Sequence, residues 1–224
     1  KLQVDAVIFD FDGVLGCTMD DNYLAWASAC SEFDIHLKQE EYFLLEGLSV
    51  KEVARTLLNR YKKNINYTDR LAKSKEKHYL DHNQFSLYLG SEKLLGDLKS
   101  SVMLGLVTGA GRKRLNATLT EDFFAHFAYI VSGDQNIPPK PDPAPYLAAV
   151  SGLKVKSSNV IVVENAPLGI RSAKEAGLFC LAISSTLDKS FLSEADVVVE
   201  NINEAGKWLM SEVKVLNTQL SSTI

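Results

Sequence analysis

Asp10 and Asp12 stand one residue apart at the end of an apolar run, just ahead of Gly13. Carboxylates that close repel unless a cation lies between them or they share a proton, so the pair points to a metal site or a coupled acid/base. An Asp-x-Asp-Gly stretch also occurs in plain turns, and taken alone the pair leaves that reading open. Other polar residues close apolar runs in the same manner further along. Thr108 and Gly109 follow the run 102–107, Lys140 sits among prolines in Pro138-Pro139-Lys140-Pro141-Asp142-Pro143, and Glu164 with Asn165 follows the run 159–163. Singly, Thr108 reads as a turn residue and Lys140 as a solvated loop charge. Their joint placement at strand ends favours a common site.

The elements that must position these groups follow from the apolar pattern. Residues 4–9 have the length and β-branched, aromatic content of a buried strand, and Gly13 marks where the chain leaves it. Open parallel sheets collect ligands at the carboxyl ends of their strands, which is where Asp10 and Asp12 fall. Strands are expected at 102–107, 127–132, 159–163, 178–183 and 196–199. Helices are expected between them at 111–120, 143–151, 167–176 and 203–213, the third closed by Gly177. That alternation predicts a doubly wound parallel sheet. A βαβ crossover needs roughly 30 residues, so about sixty residues between Gly13 and Val102 must form something more. Tyr23, Trp26, Ala27 and Cys30, and then Val53, Ala54, Leu57 and Leu58, recur at helical spacing. Gly47 reads as a helix stop, Ser49 with Glu52 as a capping box, 67–85 as a further helix, and Gly90-Ser91 as the start of one running through Lys99. The polar tail from Asn217 is expected to fray.

Composition narrows the class. The chain has 224 residues, 46% hydrophobic and 23% charged, as an ordinary globular protein does. A net charge of −4 argues against a nucleic-acid surface, and no apolar run reaches the ~20 residues of a membrane span. Three well-separated cysteines, Cys17, Cys30 and Cys180, suit reduced thiols in a cytoplasm. Cys17 is near the carboxylates but has no histidine within nine residues to activate it as a nucleophile. His78 and His82, one helical turn apart, lack a third ligand nearby. Phe123, Phe124 and Phe127 read as core.

Four stretches, Asp10-Phe11-Asp12-Gly13-Val14-Leu15, Val107-Thr108-Gly109, Lys140-Pro141-Asp142-Pro143 and 162–170, resemble in content and order the four motifs of the haloacid dehalogenase superfamily. The resemblance covers essentially the whole chain, with the helical insertion in the family's cap position. It implies a Rossmann-like, doubly wound α/β parallel sheet core over 1–15 and 90–224, carrying an inserted α-helical bundle cap domain over 16–89. It further implies that Asp10 is the nucleophile that forms an aspartyl-phosphate and that Asp12 protonates the leaving oxygen and later activates water. Thr108 would hydrogen-bond the transferring group and Lys140 would neutralise it, with the backbone of Phe11, Asp12 and Gly109 completing a phosphate cradle. Mg²⁺ would be held by Asp10, the Asp12 carbonyl and Asn165, with Glu164 helping directly or through water. Relatives that remove halide lack a carboxylate at position 12, because halide leaves without a proton; its presence favours phosphoryl transfer.

Asn165 stands where many relatives carry a carboxylate, which implies weaker metal binding. Within the superfamily the chain is most similar to the β-phosphoglucomutase and phosphoglycolate-phosphatase-like branch. Residues 71–79 resemble the mutase cap helix and place Lys75 at a substrate-contacting lysine; Gly47-Leu48-Ser49-Val50-Lys51 resembles the substrate-selecting cap loop. For Lys51 and Lys75 the plainer reading is a solvated helix face, and for Arg112, Lys113 and Arg114 an exposed basic turn. Asn22 replaces the mutase's histidine. The expected activity is therefore Mg²⁺-dependent hydrolysis of a small phosphomonoester, a sugar phosphate or phosphoglycolate-like metabolite, by a monomer or weak homodimer. A phosphomutase and a non-catalytic sugar-phosphate binder are the alternatives.

Overall fold

Strand β1 (Ala6–Phe9) alternates its side chains between two apolar layers, and that alternation sets the plan of the sheet. The computed structural model describes residues 3–212. After β1 the chain makes four helices, α1 (Met19–Ser31), α2 (Gln39–Phe43), α3 (Val50–Arg60) and α4 (Thr68–His82), before returning through α5 (Ser91–Lys99) to β2 (Met103–Val107). Then follow α6 (Arg112–Thr118), α7 (Glu121–Phe124), β3 (Tyr129–Val131), α8 (Ala144–Leu153), β4 (Val160–Glu164), α9 (Pro167–Glu175), β5 (Phe179–Ile183), β6 (Val197–Val199) and α10 (Ile202–Glu212). The expected fraying from Asn217, and the last residue of the expected helix 203–213, lie outside the described residues. Among the described residues no helix is long and apolar enough to cross a membrane.

All strands pair in parallel, in the order β3-β2-β1-β4-β5-β6. Val7 and Phe9 join Leu104, Leu106, Val163 and helices α5 and α10 on one side. Ala6 and Ile8 join Val162, Cys180 and helices α8 and α9 on the other. This is the expected α/β doubly wound sheet. The strand order reverses at β1, and such a switch point opens a crevice at the carboxyl ends. Phe9 lies level with Leu106 on β2 and Val163 on β4, so Asp10, Thr108 and Glu164 emerge side by side. Helices α1, α3 and α4 and the short α2 build a third apolar cluster around Trp26, Leu57, Leu58 and Leu71.

Several boundaries differ from expectation. The strand ending at 163 runs one residue further, because Glu164 keeps ladder register with Ala182 of β5. The strand expected at 127–132 is shorter, with Phe127 drawn onto the Phe123 ring 5.4 Å away. Only half of the capping box forms: Ser49 accepts from the Glu52 N–H, while the Glu52 carboxylate turns to Arg55 at 2.9 Å. Gly47 adopts φ +101, the left-handed conformation that ends the turn before α3.

Candidate active site

Asp10 continues β1, its N–H donating to the Val163 carbonyl at 2.9 Å, and its side chain is buried in the crevice. Lys140 reaches it from the loop before α8: the ammonium donates to Asp10 Oδ1 at 2.7 Å, to Glu164 Oε1 at 2.7 Å and to the Val107 carbonyl at 3.2 Å. One buried cation thus ties together the ends of β1, β2 and β4. Burial pushes the Asp10 carboxyl above the ordinary range, and the Lys140 ammonium opposes that rise. Glu164 has both oxygens engaged, Oε1 by Lys140 and the Tyr146 hydroxyl, Oε2 by the N–H groups of Asn165 and Ala166. The absent side chain of Gly169 makes this possible, since a Cβ there would overlap the Glu164 carboxylate.

Past Asp10 the chain turns sharply. The Phe11 carbonyl accepts from the N–H groups of Val14, Leu15 and Gly16, and Gly13 takes φ +81 in the turn. Asp12 is held inside, 3% exposed. Its Oδ1 accepts from the Thr18 hydroxyl at 2.5 Å and from Asn22 Nδ2 at 3.1 Å; its Oδ2 accepts from Arg114 Nη2 at 2.6 Å. Burial works to raise this carboxyl, yet the Arg114 guanidinium, the Thr18 hydroxyl and Lys75 together hold it below its ordinary value. Thr108 is buried at the end of β2, its hydroxyl accepting from the Ala110 N–H at 3.1 Å.

Asn165 is fully buried, and its amide nitrogen donates to the Thr186 hydroxyl at 2.9 Å. Its Oδ1 is buried with no hydrogen-bond partner. An orphaned, buried carbonyl oxygen is the kind of donor a hard cation takes, and its oxygen chemistry, like that of Asp10 and the Asp12 carbonyl, suits Mg²⁺. Among the described residues there is no group of three or more His, Cys, Asp or Glu that could hold a metal, and position 165 supplies an amide in place of a carboxylate.

The helical segment closes over this site. Gly47 and Ser49 join Thr108, Gly109 and Lys140 around a cavity of about 20 Å³, and a Cβ on Gly109 would lie 2.9 Å from the Leu48 carbonyl. Glu46 is half-buried, its Oε2 accepting from the Tyr42 hydroxyl at 2.7 Å. Burial and the nearby Asp12 push its carboxyl up to about 7.

Two expectations need correction. Arg114 is no exposed turn residue: only 6% exposed, it pairs with Asp12, while Arg112 and Lys113 beside it are exposed. Lys75 is not a solvated helix residue either. Its ammonium is buried over the Trp26 and Tyr79 rings and donates to Asn22 Oδ1 at 2.8 Å and to Glu76 at 3.1 Å. Lys51 is the reverse case: its side chain is 68% exposed, pairs with Asp69 at 2.9 Å, and lines an outer cleft with Lys113 and Glu76. His78 bonds Glu32 at 3.0 Å and stacks against the His82 ring; Cys17 is exposed. Sequence reasoning missed Thr18, Tyr42, Glu46, Tyr146 and Thr186. Asn22 carries a signal in the sequence, a polar residue on the buried stripe of α1 one turn after Thr18.

Comparison with known proteins shows the family. A family model described as haloacid dehalogenase-like hydrolase matches residues 7–183. Validoxylamine A 7'-phosphate phosphatase of Streptomyces hygroscopicus is 37% identical over 121 residues, which span 53% of this chain and 56% of that one. β-Phosphoglucomutase of Bacillus subtilis is 26% identical over 92% of this chain and 94% of its own. The structure of β-phosphoglucomutase from Clostridium difficile superposes with a TM-score of 0.79 at 26% identity, covering 93% of this chain and 96% of that one.

Proposed function

Because the chain belongs to the haloacid dehalogenase-like hydrolases, and is on that membership and its phosphatase relatives a phosphoric monoester hydrolase, we propose that it hydrolyses a small phosphomonoester through an aspartyl-phosphate. The substrate class is a sugar phosphate or a phosphoglycolate-like metabolite. The observation that carries this reading is the buried Asp10–Lys140 contact at 2.7 Å, a nucleophile with its countercharge already in place.

Asp10 attacks phosphorus while the bond to the leaving oxygen breaks; Asp12, which takes up a proton from solvent as the phosphate's negative charge comes near, hands that proton to the leaving oxygen. Water then attacks the phosphoryl group, Asp12 takes the water's proton, and Asp10 is freed as phosphate departs. Lys140 and the Thr108 hydroxyl face the charge that develops on the transferring group, with the Gly109 backbone beside them. Asp10, the Asp12 carbonyl and Asn165 Oδ1 are the groups that would hold Mg²⁺, which when bound offsets the repulsion between carboxylates and phosphate. Glu164 adds its charge to that site from behind Lys140.

Residues 16–89 act as the cap and 1–15 with 90–224 as the core. Asp10, Asp12 and Lys140 are all buried, so the cap lifts to admit substrate and closes to exclude bulk water. Lys75 stands behind Asn22 on the cap side of the site, and Lys51 lies at the cleft rim, where its charge steers anions. A cytoplasmic setting suits the free cysteines Cys17, Cys30 and Cys180. With Mg²⁺ the protein should release phosphate from p-nitrophenyl phosphate, and Asp10→Asn should abolish the release. Magnesium-dependent turnover absent across a broad metabolite panel would overturn the reading in favour of a binding protein. Conversion of β-glucose 1-phosphate to glucose 6-phosphate with little free phosphate would replace it with a mutase, the activity named for the two β-phosphoglucomutase relatives.

A further inference from the structure

Arg114 has no part in the chemistry described so far, yet it is among the most constrained side chains of the site. It stands in the first turn of α6, and its guanidinium reaches two residues at once: Nη2 donates to Asp12 Oδ2 and Nη1 to Asn22 Oδ1, each at 2.6 Å. The Tyr79 ring of α4 lies against it, 4.9 Å from the guanidinium carbon. Asn22 in turn donates to the other Asp12 oxygen, so the three side chains close a ring of hydrogen bonds. Lys75 bonds the same Asn22 oxygen from α4. The plane of the Asp12 carboxylate is thereby held from two sides, by α6 of the sheet domain and by α1 of the helical segment.

A carboxylate turns with little preference about its last torsion, so a proton donor needs outside contacts to aim it. A guanidinium supplies such contacts in a rigid fork, which the single ammonium of a lysine does not reproduce. Resting on the reading of Asp12 as the group that protonates the leaving oxygen, we propose that Arg114 is a positioning residue for Asp12, fixing its carboxylate plane and tying that plane to Asn22.

Leaving groups test this. An alkyl phosphomonoester needs a proton on its departing oxygen, whereas p-nitrophenolate departs without one, and kcat/KM reads only the steps up to that departure. In Arg114→Gln and Arg114→Lys, kcat/KM for the best alkyl phosphomonoester of a panel should fall about tenfold or more, while that for p-nitrophenyl phosphate stays within about twofold. Equal losses on both substrates, or no loss on either, would overturn the proposal. A rise in KM at unchanged kcat, confined to substrates with a second anionic group, would overturn it too and make Arg114 a substrate contact. Circular dichroism checks folding, and if the glutamine variant does not fold the lysine variant carries the same test. A wild-type protein inactive on both phosphates would refute the hydrolase reading itself, a result distinct from any of these.

Discussion

On the proposed ligand set, Asn165 sets how strongly the site would hold Mg²⁺. An amide oxygen offers a dipole where a carboxylate would offer a full charge, and here that oxygen is buried without any other partner. Asn165→Asp should therefore tighten Mg²⁺ binding by roughly tenfold or more, read by calorimetric titration and by the rise in Tm on adding Mg²⁺. The Thr186 hydroxyl, which now accepts from Asn165 Nδ2, can turn and donate to the new carboxylate. Without Mg²⁺ the same variant should be less stable than wild type, since a further charge is buried beside Asp10 and Glu164. A titration identical to that of wild type would remove position 165 from the ligand set.

At the scale of elements, α1 and α4 pack through Trp26, Ala29, Leu71 and Ala72, and between those apolar contacts they bury Asn22 and Lys75. Burial, and then the neighbouring Arg114, bring the Lys75 ammonium down to about 8 from an unfolded value of 10.5. Between those limits the unfolded chain binds a proton that the folded chain does not, so the free energy of unfolding should rise with pH across that window. Lys75→Met should remove the rise. Denaturant unfolding of both proteins on either side of the window measures the difference, and equal pH slopes would place the Lys75 titration outside it.

For the molecule as a whole, closure rests on backbone meeting backbone. Gly109 lets the Leu48 carbonyl come down on the loop after β2, where a Cβ would lie 2.9 Å away. Gly109→Val should therefore hold the helical segment off the sheet domain. We expect severalfold faster limited proteolysis within 44–51 and a larger radius of gyration, with the sheet's own unfolding transition little changed. A proteolysis rate equal to that of wild type would mean that closure does not depend on this contact.

Much of this could be read along the chain, because it depends on local pattern. Asp10, Thr108, Glu164 and Asn165 each end an apolar run, Lys140 stands among prolines, and a parallel sheet with β1 at its switch point brings such ends together. The family likeness implies roles for them. The arrangement around Asp12 was not legible. Arg114 lies 92 residues from Asn22 and 102 from Asp12, and Lys75 lies 53 from Asn22, so no local period links them. Local spacing made Arg114 and Lys75 look like ordinary exposed cations, since helical periodicity tells which face a residue occupies but not what covers that face. Only the docking of α1, α4 and α6 against one another turned two surface charges into buried ones and gave Asp12 its partners.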